Sequence, residues 1–210
     1  MSAGATQGAL DHLVIAAGDL QEGCDWFTDR TRLGLSPGGV HPLMGTHNRL
    51  LGLGPDAYLE VIAIDPAARG PDHPRWFDLD RRSGPPALRT WVVRVNDLDA
   101  ALAGAPAGSG TPRAFERGDL RWRMAVPVDG RLPFDNLFPA LIEWQTEAHP
   151  APRLPDAGVR LQGLRLEHPQ AHALASALAV ILDDPRVVVA QAPLPAISAV
   201  LEMPAGPARL

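Results

Sequence analysis

The stretch LDHLVIAAGDLQEGCDWFTDRTRL, residues 10–33, combines a β-rich run with the mixed apolar spacing of a short helix. A second stretch, LRTWVVRVNDLDAALAGA (88–105), has the same pattern. At a constant offset of 78 residues, Asp19 aligns with Asp97, and each aspartate suits the N-terminal turn of its helix. The chain therefore contains a repeated strand and helix.

Each strand and helix is followed by further strand candidates that end on a similar phrase. The phrase is AYLEVIAI (57–64) in the first unit and ALIEWQT (140–146) in the second, and both carry an interior glutamate. The repeated unit is thus β-α-β-β-β, with too few copies and too long a period for a solenoid. A shorter third unit of the order β-α-β-β ends on the same phrase, with Glu202.

Segments rich in proline and glycine separate the units and mark their boundaries. The predicted fold class is α+β, with two paired βαβββ modules in one domain and a partial βαββ-like module packed on it. The ranges are 1–150 for the domain, about 9–66 and 88–146 for its modules, 67–87 for their linker, and 159–204 for the C-terminal module.

The linker and the C-terminal module each suggest a role. Trp76 and Phe77 in the linker are costly to leave in water, so this segment is expected to pack over something, such as a pocket that it covers as a lid. The C-terminal module has no counterpart of His12 and is expected to cover a sheet edge or form a subunit contact.

The composition excludes several classes of function. A net charge of −5 gives no general reason to bind nucleic acid or an anionic membrane. The N-terminus lacks the features of a cleaved signal, and no stretch is apolar for long enough to span a membrane, so a cytoplasmic location is expected. All 19 basic residues are arginine, which excludes a lysine base or a Schiff base.

Glu60 is the most informative residue of the closing phrases. Strand alternation puts Tyr58, Glu60 and Ile62 on one face, and the strand is otherwise apolar on both faces. A buried carboxylate is costly there unless it is paired or bound to a cation, so a pocket role competes with the usual solvated glutamate of an edge strand. Glu143 is the matching residue in the second unit.

Three phrases carry a family resemblance: LDHLVIAAGDL (10–20), GGVHPLMGTHNRLLGLG (38–54) with AYLEVIAIDP (57–66), and LPFDNLFPALIEWQT (132–146). Together they resemble the vicinal oxygen chelate superfamily, and within it the glyoxalase-like domain proteins. The resemblance implies a curved, cup-shaped mixed sheet with the pocket inside. It also implies metal ligands on the first and last strand of each module, at the positions of His12, Glu60, Thr90 and Glu143.

Three of these four positions carry side chains that bind metals, and Thr90 is the exception. The set of His12, Glu60 and Glu143 suits a divalent ion such as Fe, Mn, Zn or Mg, with open positions for two neighbouring substrate oxygens. Such an ion polarises a carbonyl or stabilises an enolate. The same residues are also compatible with a metal-free pair, in which a carboxylate orients His12 or acts as a general base.

Further residues are predicted near the pocket. His47 is a candidate substrate contact or acid/base group beside Glu60, and Tyr58 shares the face of Glu60. Arg121 and Arg123 share one strand face and would bind an anionic substrate if that face lined the cup; the alternative is a solvated outer face. The remaining histidines lie in loops, connections or the third unit and receive no site role: His41, His73, His149, His168 and His172.

Two functions follow. The first is a metal-assisted lyase, isomerase or dioxygenase of glyoxalase type, acting on a small molecule with vicinal oxygens. In it His12, Glu60 and Glu143 hold the ion and His47 moves a proton. The second is a non-catalytic protein that binds or sequesters a small molecule in the same cup. Neither involves nucleic acid or a membrane, and a homodimer is compatible with both.

Overall fold

The computed structural model describes residues 8–210. The first module contains β1 (Ala9–Ala16), α1 (Leu20–Thr31), β2 (Ser36–His41), β3 (Thr46–Gly52) and β4 (Tyr58–Ile64). The second contains β5 (Ala87–Arg94), α2 (Leu98–Gly104), β6 (Thr111–Arg117), β7 (Leu120–Val126), a single turn α3 (Pro133–Asn136) and β8 (Ala140–Trp144). The C-terminal part contains β9 (Arg160–His168), α4 (Ala171–Leu178), β10 (Val187–Gln191), β11 (Ala196–Glu202) and β12 (Ala208–Arg209). The predicted α+β fold class is confirmed.

Aspartates begin the first helix of each module, as the repeat predicts. Asp19 accepts hydrogen bonds from the backbone N–H groups of Gln21 and Glu22, and Asp97 accepts one from that of Ala100. These bonds satisfy donors that the first turn of a helix leaves without a partner, and each cap stabilises its helix by about 1 kcal/mol. The repeated aspartate therefore fixes where each helix starts.

Both modules build one eight-stranded sheet in the order β2-β3-β4-β1-β5-β8-β7-β6. In each module the first strand lies parallel to the last, and the modules join through the antiparallel pair β1–β5. The edge strands approach each other, since Arg117 Nη1 on β6 donates to His41 Nε2 on β2 at 3.2 Å. The sheet thus curls into a cup within one chain, and a homodimer stays a prediction.

The inside of the cup is covered by the connection between the modules. Val14 and Trp122 belong to a buried cluster on the inner face, and Trp76 and Phe77 complete this cluster. Arg82 Nε of the same connection donates to the carbonyl of Ala16 at 3.1 Å. We call residues 67–86 the lid segment, because its aromatic residues pack over the cup as predicted.

The outside of the cup is covered by the C-terminal sheet, whose order is β10-β9-β11-β12. Leu13 of β1 and Trp91 of β5 share a second buried cluster with Leu164 and Leu201 of this sheet. The third unit therefore covers the outer face of the central strands, where a sheet edge was predicted, because an apolar sheet face must be buried against another layer.

The pairing of the C-terminal strands differs from that of the modules. β9 lies parallel to β10, the strand that directly follows α4, whereas β1 lies parallel to the last strand of its module. The C-terminal unit is therefore βαββ-like in order without being a shortened module.

No helix in the described part of the chain has the length and apolar character that crossing a bilayer requires. The cytoplasmic location stays a prediction.

Candidate active site

A bulge in β1 places two consecutive side chains inside the cup. The pairing of β1 with β5 shifts its register between Leu10 and His12, so Asp11 is an extra residue in the ladder. Neighbours in a regular strand point to opposite faces, but at this bulge both Asp11 and His12 reach the interior. Both are buried, with exposed fractions of 0% and 4%.

The imidazole of His12 lies between two carboxylates. Its Nδ1–H donates to Asp11 Oδ1 at 2.6 Å, and its Nε2 is 3.6 Å from Glu60 Oε2. Tyr58 stacks on the ring, with centroids 4.4 Å apart and planes inclined by 17°. The hydrogen bond and the stacking together orient His12, so that Nε2 faces Glu60. We call Asp11, His12 and Glu60 the inner triad.

Glu60 is held by Asn48 on the neighbouring strand. Asn48 Nδ2 donates to Glu60 Oε1 at 2.5 Å, and Asn48 Oδ1 accepts the backbone N–H of Gly39 at 2.7 Å. The bond from Gly39 determines which end of the amide faces Glu60. Glu60 is thus fixed through Oε1, and Oε2 is the oxygen that faces His12.

Three donors converge on Asp11. In addition to His12, Trp144 Nε1 donates to Oδ2 at 2.9 Å and His149 Nε2 donates to it at 3.0 Å. His149 Nδ1 accepts the backbone N–H of Ala151 at 3.2 Å, so the proton of this ring lies on Nε2. Burial alone raises the pKa of Asp11, but the hydrogen bonds from His12 and His149 outweigh it and lower the pKa. Asp11 is therefore an ionised carboxylate.

Two further rings in the cup are uncharged at neutral pH. Burial, followed by the charges of Asp11 and Glu60, raises the pKa of Tyr58 well above its ordinary value. Burial, followed by the Arg117 guanidinium, lowers the pKa of His41 to about 3. Neither ring therefore adds a charge to the cup at neutral pH.

Glu143 and the two predicted arginines lie outside the cup. Glu143 Oε2 accepts from Arg123 Nη1 at 3.0 Å, and Arg123 also pairs with Asp99 on α2 at 2.8 Å. Arg121 pairs with Glu116 at 3.8 Å, and both are exposed. Side chains alternate along a strand, and the neighbours of these residues, such as Trp122 and Ile142, belong to the buried cluster on the inner face. Glu143 and the two arginines therefore point outward. Glu143, predicted as a metal ligand, does not join the inner triad, and Arg121 and Arg123 take the alternative outer-face position.

His47 also faces away from the cup. It lies opposite Ala63 in the β3–β4 pair, and Ala63 belongs to the outer cluster. Residues directly opposite each other in an antiparallel pair share a face. The residue of β3 that points inward beside Glu60 is therefore Asn48, where His47 was predicted. Thr90 does face inward, opposite Val14, and is fully buried.

The inner triad lies behind aromatic residues. A cavity of about 280 Å³ opens at the rim of the cup, and His41, Phe115 and Trp122 are among its lining residues. Trp122 packs on Trp144 with centroids 5.6 Å apart, and Trp144 is the donor to Asp11. Indole rings therefore separate this cavity from the inner triad. Another cavity, of about 740 Å³, is lined by Arg131, Asp135 and His168 among others and includes no member of the triad.

The curled sheet of paired βαβββ modules is the fold of the vicinal oxygen chelate superfamily. The sequence matches the glyoxalase-like domain family over residues 10–182, and the chain belongs to that family. The predicted resemblance is thus confirmed. No curated protein matches the sequence.

The chain is also similar to several solved structures. A hypothetical protein from Staphylococcus aureus is similar with a TM-score of 0.56 and 12% identity, over 91% of this chain and 80% of that one. Methylmalonyl-CoA epimerase from Mycobacterium tuberculosis has a TM-score of 0.42 and 24% identity, over 69% and 91% of the two chains. A variant of the Streptomyces coelicolor epimerase, solved with 2-nitronate-propionyl-CoA, has a TM-score of 0.41 and 17% identity, over 66% and 97%.

Members of this superfamily often use divalent metals, but the donor set found here does not fit one. Among residues 8–210, no three His, Cys, Asp or Glu side chains are grouped so as to hold a metal ion. His12 and Glu60 supply two donors, Glu143 is paired with Arg123 on the other face, and Thr90 supplies only a hydroxyl. Catalytic zinc and non-haem iron sites take three protein ligands, so we assign no step to a metal.

Proposed function

We propose that the chain is a glyoxalase-like isomerase or lyase that moves a proton on a carbon next to a carbonyl, in a small molecule with vicinal oxygens. The observation that carries the proposal is the buried pair of His12 Nε2 and Glu60 Oε2, 3.6 Å apart. In this proposal His12 and Glu60 exchange protons with the substrate, and Asp11 and Asn48 position them.

The hydrogen bonds around His12 determine which of its nitrogens can exchange a proton. Asp11 is ionised and accepts the Nδ1–H bond, so Nδ1 keeps its proton. Nε2 is therefore the atom that takes up or releases one. An imidazole held in one tautomer by a buried carboxylate is the arrangement that general-base histidines use.

The gap between His12 and Glu60 suits a reacting group. A separation of 3.6 Å exceeds hydrogen-bond distance, so each atom can instead approach a substrate atom. One group would remove a proton from carbon and the other would return a proton to carbon or oxygen, which isomerises the substrate without a change in composition. Dioxygenases of this superfamily would need a redox metal, and the pair of His12 and Glu60 supplies too few donors to hold one.

Burial of the pair strengthens its effect on a substrate. His12 and Glu60 are each only 4% exposed, and charges interact more strongly in an interior that excludes water. Because the pair lies behind the Trp122 and Trp144 rings of β7 and β8, a substrate that enters from the rim requires these side chains to move. Conformational steps that admit a substrate and then exclude water are common in enzymes.

A binding protein without catalysis is the second candidate, and the rim cavity favours it. This cavity is lined by Leu43, Phe115 and Trp122, and it includes no member of the inner triad. Ligand sites are mostly apolar with a few polar groups, which fits this lining. A ligand that remains there, apart from the inner triad, would be sequestered without proton transfer.

Exchange of substrate protons in deuterated water separates the two candidates. NMR would follow the C–H signals of 2-oxo acids and 1,2-diketones with the wild type, His12→Asn, Glu60→Gln and the outer-face control Glu143→Gln. We expect exchange that falls about 10²–10⁴-fold in the first two variants, the usual contribution of a general acid or base, and is unchanged in the control. Binding without exchange would favour sequestration, and exchange that survives both substitutions would refute the roles of His12 and Glu60.

A further inference from the structure

Two adjoining cavities form one continuous cleft at the rim of the cup. The smaller, of about 280 Å³, and the larger, of about 500 Å³, share Pro42, Leu43 and Phe115. One wall comes from the end of β2 and the residues after it, another from β6, and a third from the lid segment. We call this the rim cleft, and its two halves differ in chemistry.

The smaller half is apolar and aromatic. Phe115 and Trp122 stack with centroids 5.7 Å apart and planes inclined by 18°. Leu43 is 61% exposed at the opening, which is unusual for a large apolar side chain next to a cavity. These residues offer a flat apolar surface of the kind that small-molecule sites use.

The larger half carries excess positive charge. Arg69 and Arg113 line it, and neither is in an ion pair with a carboxylate anywhere in residues 8–210. The carboxylates nearby are Asp72, which lines the same half, and Glu116, which lines the smaller half and pairs with Arg121. Two unpaired guanidinium groups against one free carboxylate favour an anionic ligand.

Trp76 of the lid segment supplies a donor that is not used within the described chain. Its Nε1 is buried and has no hydrogen-bond partner there. Its ring lies 5.2 Å from that of Phe115 and 5.1 Å from that of His41, and both of these residues line the smaller half. A buried N–H without an acceptor is unfavourable. Trp76 itself lines neither half, so a ligand oxygen satisfies this donor once the Phe115 or His41 ring in front of it moves.

We propose that the substrate is an organic anion that binds in the rim cleft. Its apolar body lies against Phe115 and Trp122, an oxygen of that body accepts from Trp76 Nε1, and its charged group lies beside Arg69 and Arg113. This inference rests on the proposed function, because a substrate bound in the rim cleft reaches the inner triad only when the Trp122 and Trp144 rings between them move. Selection for an anion, predicted from Arg121 and Arg123, is thereby assigned to a different pair of arginines.

Calorimetric titration with three related compounds tests each contact. The probe 4-oxo-4-phenylbutanoate has the ring, the ketone and the charge, its amide lacks the charge, and 4-phenylbutanoate lacks the ketone. We expect the wild type to bind the complete probe at least about tenfold more tightly than its amide, the usual effect of a charge-assisted hydrogen bond. Arg113→Gln should remove most of that preference, and Arg121→Gln, on the outer face, should keep it.

The Trp76→Phe variant retains a ring and removes the N–H, so it should bind the ketone probe and 4-phenylbutanoate equally. Equal affinity of the wild type for acid and amide, or an unchanged preference in Arg113→Gln, would overturn the inference, as would the failure of all three compounds to bind. If the protein prefers the anion but catalyses no proton exchange, the inference is supported and the proposed catalysis is refuted. Proton exchange on neutral substrates that is unchanged in Arg113→Gln would overturn the inference and leave the proposed function intact.

Discussion

His12 donates from Nδ1 to Asp11 Oδ1 at 2.6 Å, although the two residues are adjacent on one strand. The contact depends on the bulge in β1, since alternation would otherwise send Asp11 into the outer apolar cluster. The other two partners of Asp11, Trp144 and His149, come from the end of the second module and the segment after it. The orientation of His12 therefore depends on three separate parts of the chain.

Replacing Asp11 with Asn should destabilise the protein strongly. The amide offers one oxygen to three donors and turns its own NH2 toward them, so at least one buried donor loses its acceptor. We expect a loss of about 3 kcal/mol in the free energy of unfolding, the order found when one partner of a buried charged pair is removed. Urea denaturation measures this loss.

A matched control for that experiment is Asp119→Asn. Asp119 pairs with Arg153 at the surface, where water screens the attraction, so its replacement should change stability little. A loss for Asp11→Asn that is as small as the loss for the control would contradict the assignment of Asp11 as an ionised carboxylate that holds three donors.

His41 should make stability depend on pH between the ordinary histidine pKa and its value in the fold. Its pKa falls from 6.5 to about 3 on folding, mainly through burial and then through Arg117. Below pH 6.5 the unfolded state therefore binds a proton that the folded state does not, and stability falls as the pH falls. The slope contributed by His41 reaches up to about 1.4 kcal/mol per pH unit.

Urea unfolding between pH 7 and pH 4 tests this dependence through the variant His41→Gln. The variant should lose less stability than the wild type over the range, and His172→Gln, which replaces an exposed histidine, should follow the wild type. Parallel curves for the wild type and His41→Gln would show that the buried imidazole is not responsible.

The fold could be predicted because its signals are local and repeated. Asp19 and Asp97 mark two helices at equivalent positions, and the closing phrases around Glu60 and Glu143 mark the last strands. The spacing of apolar residues along one sequence reflects the secondary structure and the buried face of each element. The order of strands and helices within each module could therefore be predicted from this spacing.

The faces of the strands were harder to predict, and there the predicted site differs from the observed one. β3 carries polar residues on both faces and β8 carries apolar residues on both faces, so their sequences do not show whether His47 or Asn48, or which neighbour of Glu143, points inward. The bulge at Asp11 changes the face of one residue and has no signal in the strand pattern. His149 lies in a proline-rich connection, and only the folded chain brings it to Asp11.

Because only His12 and Glu60 supply metal donors among the four predicted positions inside the cup, we predict weak binding of divalent metals. We expect the protein purified without chelator to hold clearly less than one equivalent of Fe, Mn, Zn or Mg, since two protein ligands fall short of the sets that these ions use at catalytic centres. Metal analysis by mass spectrometry should give the same result for the wild type and for Glu143→Gln. One full equivalent in the wild type, lost in Glu60→Gln, would restore the metal-assisted mechanism.

Tyr58 gives a direct optical test of the charges in the cup, because it is the only tyrosine in the chain. Burial, and then the charges of Asp11 and Glu60, raises its pKa well above 10. The folded protein should therefore show no phenolate absorbance as the pH passes 10, and stability should be lost above that pH, since only the unfolded chain then releases the proton.

The variant Glu60→Gln removes one of these charges and should lower the pKa of Tyr58, while Glu143→Gln, on the outer face, should leave the titration unchanged. Stopped-flow absorbance after a jump to high pH separates ionisation in the folded state, which is immediate, from ionisation that waits for unfolding. Immediate phenolate formation near pH 10 in the wild type would mean that Tyr58 is in contact with water and that the cup is open. A Glu60→Gln variant that titrates like the wild type would place the Glu60 charge away from the Tyr58 and His12 rings.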